Sequence, residues 1–286
     1  MHEDLLALIV AAVVTAVGGA FGPWLLARLP EPAPEAGVAP SPDAEAASVS
    51  EADAAPAGGA DADPSWSSEA SAPADDPLAT DITPAPPDPA QAKPLYVDLA
   101  RRRGLAVKLG AAGVVVGGIV GWQVGWQPVL AAWVYLAVVG VVLAYIDAQT
   151  RLLPTRIIAP SYGVLVLLLA LAALLESDRD ALARSALGWL AFGGFYFLMW
   201  VVYPRGLGYG DVRLAGLLGL ALGYLGWPQV LTGMYAGFLL GGVGGGLLSL
   251  LKVFDRTRYP FGPFMLLGAV VALIWGQAFA DWYVGF

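Results

Sequence analysis

The sequence predicts an all-α, polytopic membrane protein with about eight transmembrane helices and a disordered acidic cytoplasmic linker after the first. Three observations carry that expectation. The 286 residues are 58% hydrophobic and only 13% charged, with a mean hydropathy of +0.67, which is more apolar surface than one water-soluble core can hide. Eight apolar runs are each long enough, or nearly so, to cross a hydrocarbon core of about 30 Å as a helix. One stretch, Glu31 to Asp88, holds 13 of the 23 acidic residues and no Lys or Arg.

The runs fall at 5 to 27, 105 to 122, 127 to 146, 157 to 175, 186 to 203, 212 to 226, 229 to 251 and 264 to 284. The first follows an acidic Met-His-Glu-Asp start rather than a basic n-region, so it reads as a retained span. The sixth is short and only Trp227-Pro228 parts it from the seventh, which leaves a seven-span or re-entrant arrangement open. The organisation expected is a first helix in 1–30, a linker in 31–93 and a seven-helix membrane domain in 94–286. The linker is built from Ala, Pro, Asp, Ser and Glu and cannot bury enough surface to offset the entropy of ordering it.

Charge sets the expected orientation. With the amino terminus outside, thirteen basic residues, from Arg28 and Lys93 through Arg101, Arg102 and Arg103 to Lys252, Arg256 and Arg258, face the cytoplasm, and only Arg179 and Arg184 do not. Outside the linker the chain carries 15 basic against 10 acidic residues, as suits loops that meet anionic lipid. The formal net charge of -8 belongs to the linker. The protein is expected in the inner or plasma membrane, in contact with the lipid bilayer. No nucleic-acid partner is implied, and the oligomeric state is not assigned.

The chain has no cysteine and one histidine, His2. Disulfides, thiolate catalysis, cysteine-ligated zinc and histidine-based triads are thereby excluded, and carboxylates become the main candidates for hydrolytic chemistry. Two stand out. Asp147 closes the third run, within Tyr145-Ile146-Asp147-Ala148-Gln149-Thr150-Arg151-Leu152-Leu153-Pro154. There it meets the negative end of the helix dipole; a solvated helix-end residue paired with Arg151 is the structural alternative. Asp211 lies in Arg205-Gly206-Leu207-Gly208-Tyr209-Gly210-Asp211-Val212-Arg213, on the same side of the membrane. Its glycines open backbone angles closed to other residues and let another chain approach closely, while a helix-cap role is the structural alternative.

Two carboxylates at a water-accessible membrane edge can share a proton, the ionised one activating water and the protonated one polarising a carbonyl. Acids beside hydrocarbon read by default as functional. A proton- or ion-coupled transporter using the same carboxylates is the alternative, although no internal repeat of the kind such folds show is evident. The glycines at 237, 241 and 245 are expected to let a neighbouring helix pack closely, and most tryptophans lie near span ends.

These residues carry a resemblance. Gly208-Tyr209-Gly210-Asp211 resembles the GxGD signature of membrane aspartic peptidases, and Asp147 before Leu153-Pro154 is similar to the first catalytic acid of type IV prepilin peptidases. Gly19-Ala20-Phe21-Gly22-Pro23 through Arg28-Leu29-Pro30 and Tyr259-Pro260-Phe261-Gly262-Pro263-Phe264 resemble two further motifs of that family, and the 64-residue separation of the acids also suits it. The resemblance implies removal of the basic leader of type IV prepilins or pseudopilins at the cytoplasmic face, with Asp147 and Asp211 catalytic and Gly206, Gly208, Gly210 and Arg213 positioning substrate. It implies no cofactor for proteolysis and no metal ligands. S-adenosylmethionine would be needed only if the family's second activity, N-methylation of the new amino terminus, were retained. The sequence departs from the family in three places: no cysteine-rich zinc insert follows the first span, Pro23 stands where Asn is usual, and Arg213 stands where Lys is usual.

Overall fold

A computed structural model describes residues 2–31, 96–204, 206–244 and 260–284. The linker expected at 31–93 lies outside these residues apart from Glu31, as do Arg205, Gly245 and the basic residues at 252, 256 and 258. Among the described residues every regular element is helical. Their order is α1 (His2–Ala20), α2 (Gly22–Leu26), α3 (Tyr96–Ala100), α4 (Leu105–Val124), α5 (Leu130–Thr150), α6 (Thr155–Glu176) and α7 (Arg179–Gly188). A π turn (Trp189–Gly193) joins α7 to α8 (Gly194–Val202), and α9 (Tyr209–Leu225) follows. α10 (Trp227–Leu239) runs into a second π turn (Leu240–Gly244), and α11 (Gly262–Val284) ends the described chain.

Among the described residues, six helical stretches are long and apolar enough to cross a membrane: His2–Leu26, α4, α5, α6, Arg179–Val202 and Gly262–Tyr283. The sixth and seventh apolar runs fall on the shorter α9 and α10. The fifth span begins seven residues earlier than its apolar run and takes Arg179 and Arg184 into the helix. Asp178 explains this, since its Oδ1 accepts the Ala181 N–H at 3.0 Å as an N-cap and its Oδ2 binds Arg184 Nη2 at 3.1 Å.

Small residues bring the helices together. α1 buries Ala7, Ala11, Thr15 and Gly19 at four-residue spacing, and α4 answers with Leu109, Gly113, Gly117 and Gly121. A Cβ at Gly117 or Gly121 would lie 2.5 Å from a backbone carbonyl of α1, at Ala11 or Ala7 respectively, so the two backbones touch. Gly188 on α7 meets Gly219 and Gly223 on α9 in the same way. Gly237 on α10 lies against Met265 of α11, as expected, and Gly241 in the second π turn lies against the Phe261 ring. Trp133, in the first turn of α5, is near a span end as expected but buried among the helices.

α9 is the hub. It packs against α6, α7, α8, α10 and α11 and buries twelve of its seventeen residues, Asp211 among them. A helix apolar nearly all round belongs in the interior, and this one is shielded from lipid by its neighbours. Its polar first turn is thereby presented at one end of the bundle.

Candidate active site

Asp147 enters the site from the last turn of α5. That turn ends where Arg151 adopts the left-handed conformation (φ 56°) and its N–H donates to the Asp147 carbonyl at 2.8 Å. The Thr150 hydroxyl bonds the Ile146 carbonyl at 2.8 Å, and Pro154, extended, starts α6. The Asp147 side chain is only 4% exposed. Its Oδ2 accepts the Gly262 N–H at 2.9 Å, and among the described residues it has no ion pair. The solvated pairing with Arg151 is therefore not what the structure contains.

Asp211 is the third residue of α9 and is 7% exposed. Its Oδ2 accepts the Gly208 N–H at 3.0 Å while its own N–H donates to the Gly208 carbonyl at 3.0 Å, a reciprocal arrangement that starts the helix. The helix-cap role is thus present, and it leaves the second carboxylate oxygen free of any protein hydrogen bond among the described residues.

The two carboxyl groups lie within electrostatic reach of each other. The ends that carry them, together with the start of α11, meet at the same end of the bundle. Two buried carboxyl groups so placed cannot both ionise comfortably.

Gly206 and Gly208 are exposed and Gly210 is half-buried. None of the three has a positive φ, so the expectation that they supply unusual backbone angles fails. Space explains them instead. A Cβ at Gly210 would sit 2.9 Å from the Leu153 Cβ, one at Gly208 would sit 3.2 Å from Asp211 Oδ2, and one at Gly206 would strike the Tyr203 ring. The loop thereby lies directly on the segment that follows Asp147.

Arg213 is half-buried and engaged within the protein. Its Nη1 donates to Thr155 Oγ1, and its guanidinium lies over the Tyr209 ring at 4.6 Å. Three contributors were not legible in the sequence. Thr155 carries no signal of its own. Gly262 belonged to a motif but had no assigned partner. Tyr196, 1% exposed, meets the Phe261 ring edge-on with centroids 5.8 Å apart, beside the Gly262 that bonds Asp147.

Residues 133–250 match the model of the Type IV leader peptidase family. The chain is 33% identical over 159 residues to a prepilin leader peptidase/N-methyltransferase of Stutzerimonas stutzeri, covering 55% of this chain and 52% of that one. It is 31% identical to proteins of the same name from Aeromonas hydrophila, over 54% of this chain and 51% of the relative, and Pseudomonas aeruginosa, over 55% and 52%. The chain spans about half the length of the curated relatives it matches. No solved structure matches it. The matched stretch, residues 133–250, holds both carboxylates and the glycine loop between them.

Proposed function

We propose that the chain is a membrane aspartic endopeptidase that cleaves the basic leader from type IV prepilins or pseudopilins. The observation that carries this reading is the convergence of two buried carboxyl groups, from helices 64 residues apart in sequence, beside an exposed glycine loop. The names of the relatives, each a prepilin leader peptidase, supply the substrate class.

In the reaction the ionised carboxylate takes a proton from a water, whose oxygen attacks the scissile carbonyl carbon. The protonated carboxyl gives its proton to the carbonyl oxygen, so the tetrahedral intermediate forms without a free alkoxide. Collapse breaks the C–N bond: the proton taken from water passes to the leaving nitrogen, and one hydroxyl of the gem-diol returns its proton to the other carboxylate as the carbonyl re-forms. Each turnover consumes one water and leaves the pair holding one proton. Gly208, exposed and next to the Asp211 carboxylate, puts no side chain where an extended peptide would lie against it.

The excess of basic residues on one set of loops supports an orientation with the amino terminus outside and the site at the cytoplasmic face. The relatives' names also include an N-methyltransferase. The test is incubation of the purified protein, in lipid nanodiscs, with a prepilin-like peptide, followed by mass spectrometry. A single cut between the basic leader and the apolar segment supports the reading, and an intact peptide after prolonged incubation sinks it.

A further inference from the structure

We infer that Arg213 is a positioning residue that fixes the spacing of Asp147 and Asp211 by fastening α9 to α6, rather than a contact for the peptide; this rests on the peptidase reading above. The two acids arrive on α5 and α9, and two other helices, α6 and α11, pack against both. On the α11 side the link is the Gly262 N–H on Asp147. On the α6 side it is Arg213.

Arg213 reaches α6 twice. Its guanidinium donates to the Thr155 hydroxyl, and its backbone carbonyl accepts the Tyr162 hydroxyl at 2.7 Å. Thr155 and Tyr162 are seven residues apart, two helical turns, and so share one face of α6. Thr155 follows Asp147 by eight residues, through a four-residue connection that the left-handed Arg151 and extended Pro154 make sharp. Any shift of α6 against α9 is therefore passed directly to Asp147.

The direction of the side chain argues the same way. Two residues along an α-helix is a rotation of about 200°, so Arg213 leaves α9 on nearly the opposite side from Asp211. A cleft that holds a peptide against Asp211 is not on that side. The guanidinium is also committed: the Tyr209 ring lies under it at 4.6 Å, and Tyr209 in turn packs on Trp200 with centroids 5.2 Å apart. A planar guanidinium stacked on a ring holds its donors in a fixed direction, which an ammonium on a flexible stem does less well. Leu153 against Gly210 completes the contact between the two loops.

The test uses the full chain in nanodiscs with a prepilin-like peptide. Arg213→Ala is expected to lower kcat about 10- to 100-fold, the scale of a displacement of about 1 Å in a reacting geometry, with KM changed less than about threefold. Thr155→Val should lower kcat in the same direction, the double variant should be no worse than Arg213→Ala alone, and Arg213→Lys should recover part of the loss. In the free protein, hydrogen exchange of segments 148–158 and 206–215 should quicken together in Arg213→Ala. A raised KM with kcat unchanged, or a silent Thr155→Val, would overturn the inference. If the wild-type protein cleaves no leader peptide, the peptidase reading has failed, and hydrogen exchange alone decides: faster exchange in both segments upholds the fastening, and unchanged exchange refutes it.

Discussion

The Gly262 N–H donates to the Asp147 carboxylate at 2.9 Å across 115 residues of sequence. This bond orients one acid of the pair from an element other than the helix that carries it. A Cβ at position 262 would lie 2.8 Å from Asp147 Oδ2, well inside contact distance, so only glycine lets the backbone come this close.

Gly262→Ala is accordingly expected to turn Asp147 out of line. Cleavage should fall at least about tenfold, the effect of misplacing a reacting group, while thermal stability changes little because the nearest atom in the way is the end of the Asp147 side chain, which can turn aside, rather than backbone. Parallel measurements of kcat and Tm separate the two. A fully active Gly262→Ala protein would mean that the orientation of Asp147 by this bond is not needed for catalysis.

Two glycines of α4, adjacent in sequence, offer an internal control on helix packing. Gly117 faces α1, where a Cβ would be 2.5 Å from the Ala11 carbonyl, whereas a Cβ at Gly118 meets nothing within 4 Å. Gly117→Ala should destabilise by about 1–3 kcal/mol, as overpacking does, and Gly118→Ala should stay within about 0.5 kcal/mol of wild type. Reversible unfolding in mixed micelles reads both. Equal effects would contradict the contact between α1 and α4.

Asp178 lies between the spans, and the Ala181 N–H, first, and then the Arg184 guanidinium hold its carboxyl below the usual range. A folded-state pKa below the unfolded value contributes stability above the unfolded value of about 3.9, and that contribution is lost as pH falls through the folded one. Asp178→Ala should therefore lower Tm at pH 7, with the gap to wild type closing as the pH is taken below about 4. The check is Tm against pH for both proteins; a gap that persists in acid would point to packing rather than charge.

The architecture was legible where it depends on composition and parity. Long apolar runs set the helices, and alternating crossings bring the end of α5 and the start of α9 to one end of the bundle, which is why Asp147 and Asp211 could be paired from sequence. What was not legible depends on partners. Gly113, Gly117 and Gly121 become a packing surface only because Ala7, Ala11 and Thr15 lie opposite, and neither set is distinctive alone. Arg179 and Arg184 look like loop charges until the Asp178 cap draws them into a helix. The loop glycines were expected to supply unusual dihedral angles, but their φ values are ordinary and their purpose is space for Leu153 and Asp211. Arg213 invites assignment to a substrate because its charge is visible in sequence, whereas the Thr155 hydroxyl that occupies it is not.

The account stands on the two carboxyl groups acting as one unit on a peptide bond. Its most direct test is the cleavage rate of a prepilin-like peptide by Asp147→Asn and Asp211→Asn, each shown by circular dichroism and gel filtration to be folded and inserted. The expected result is a loss of at least about a thousandfold in kcat for either variant, with the double variant no lower, as for residues that act together. Cleavage at a near wild-type rate by either single variant would contradict the account.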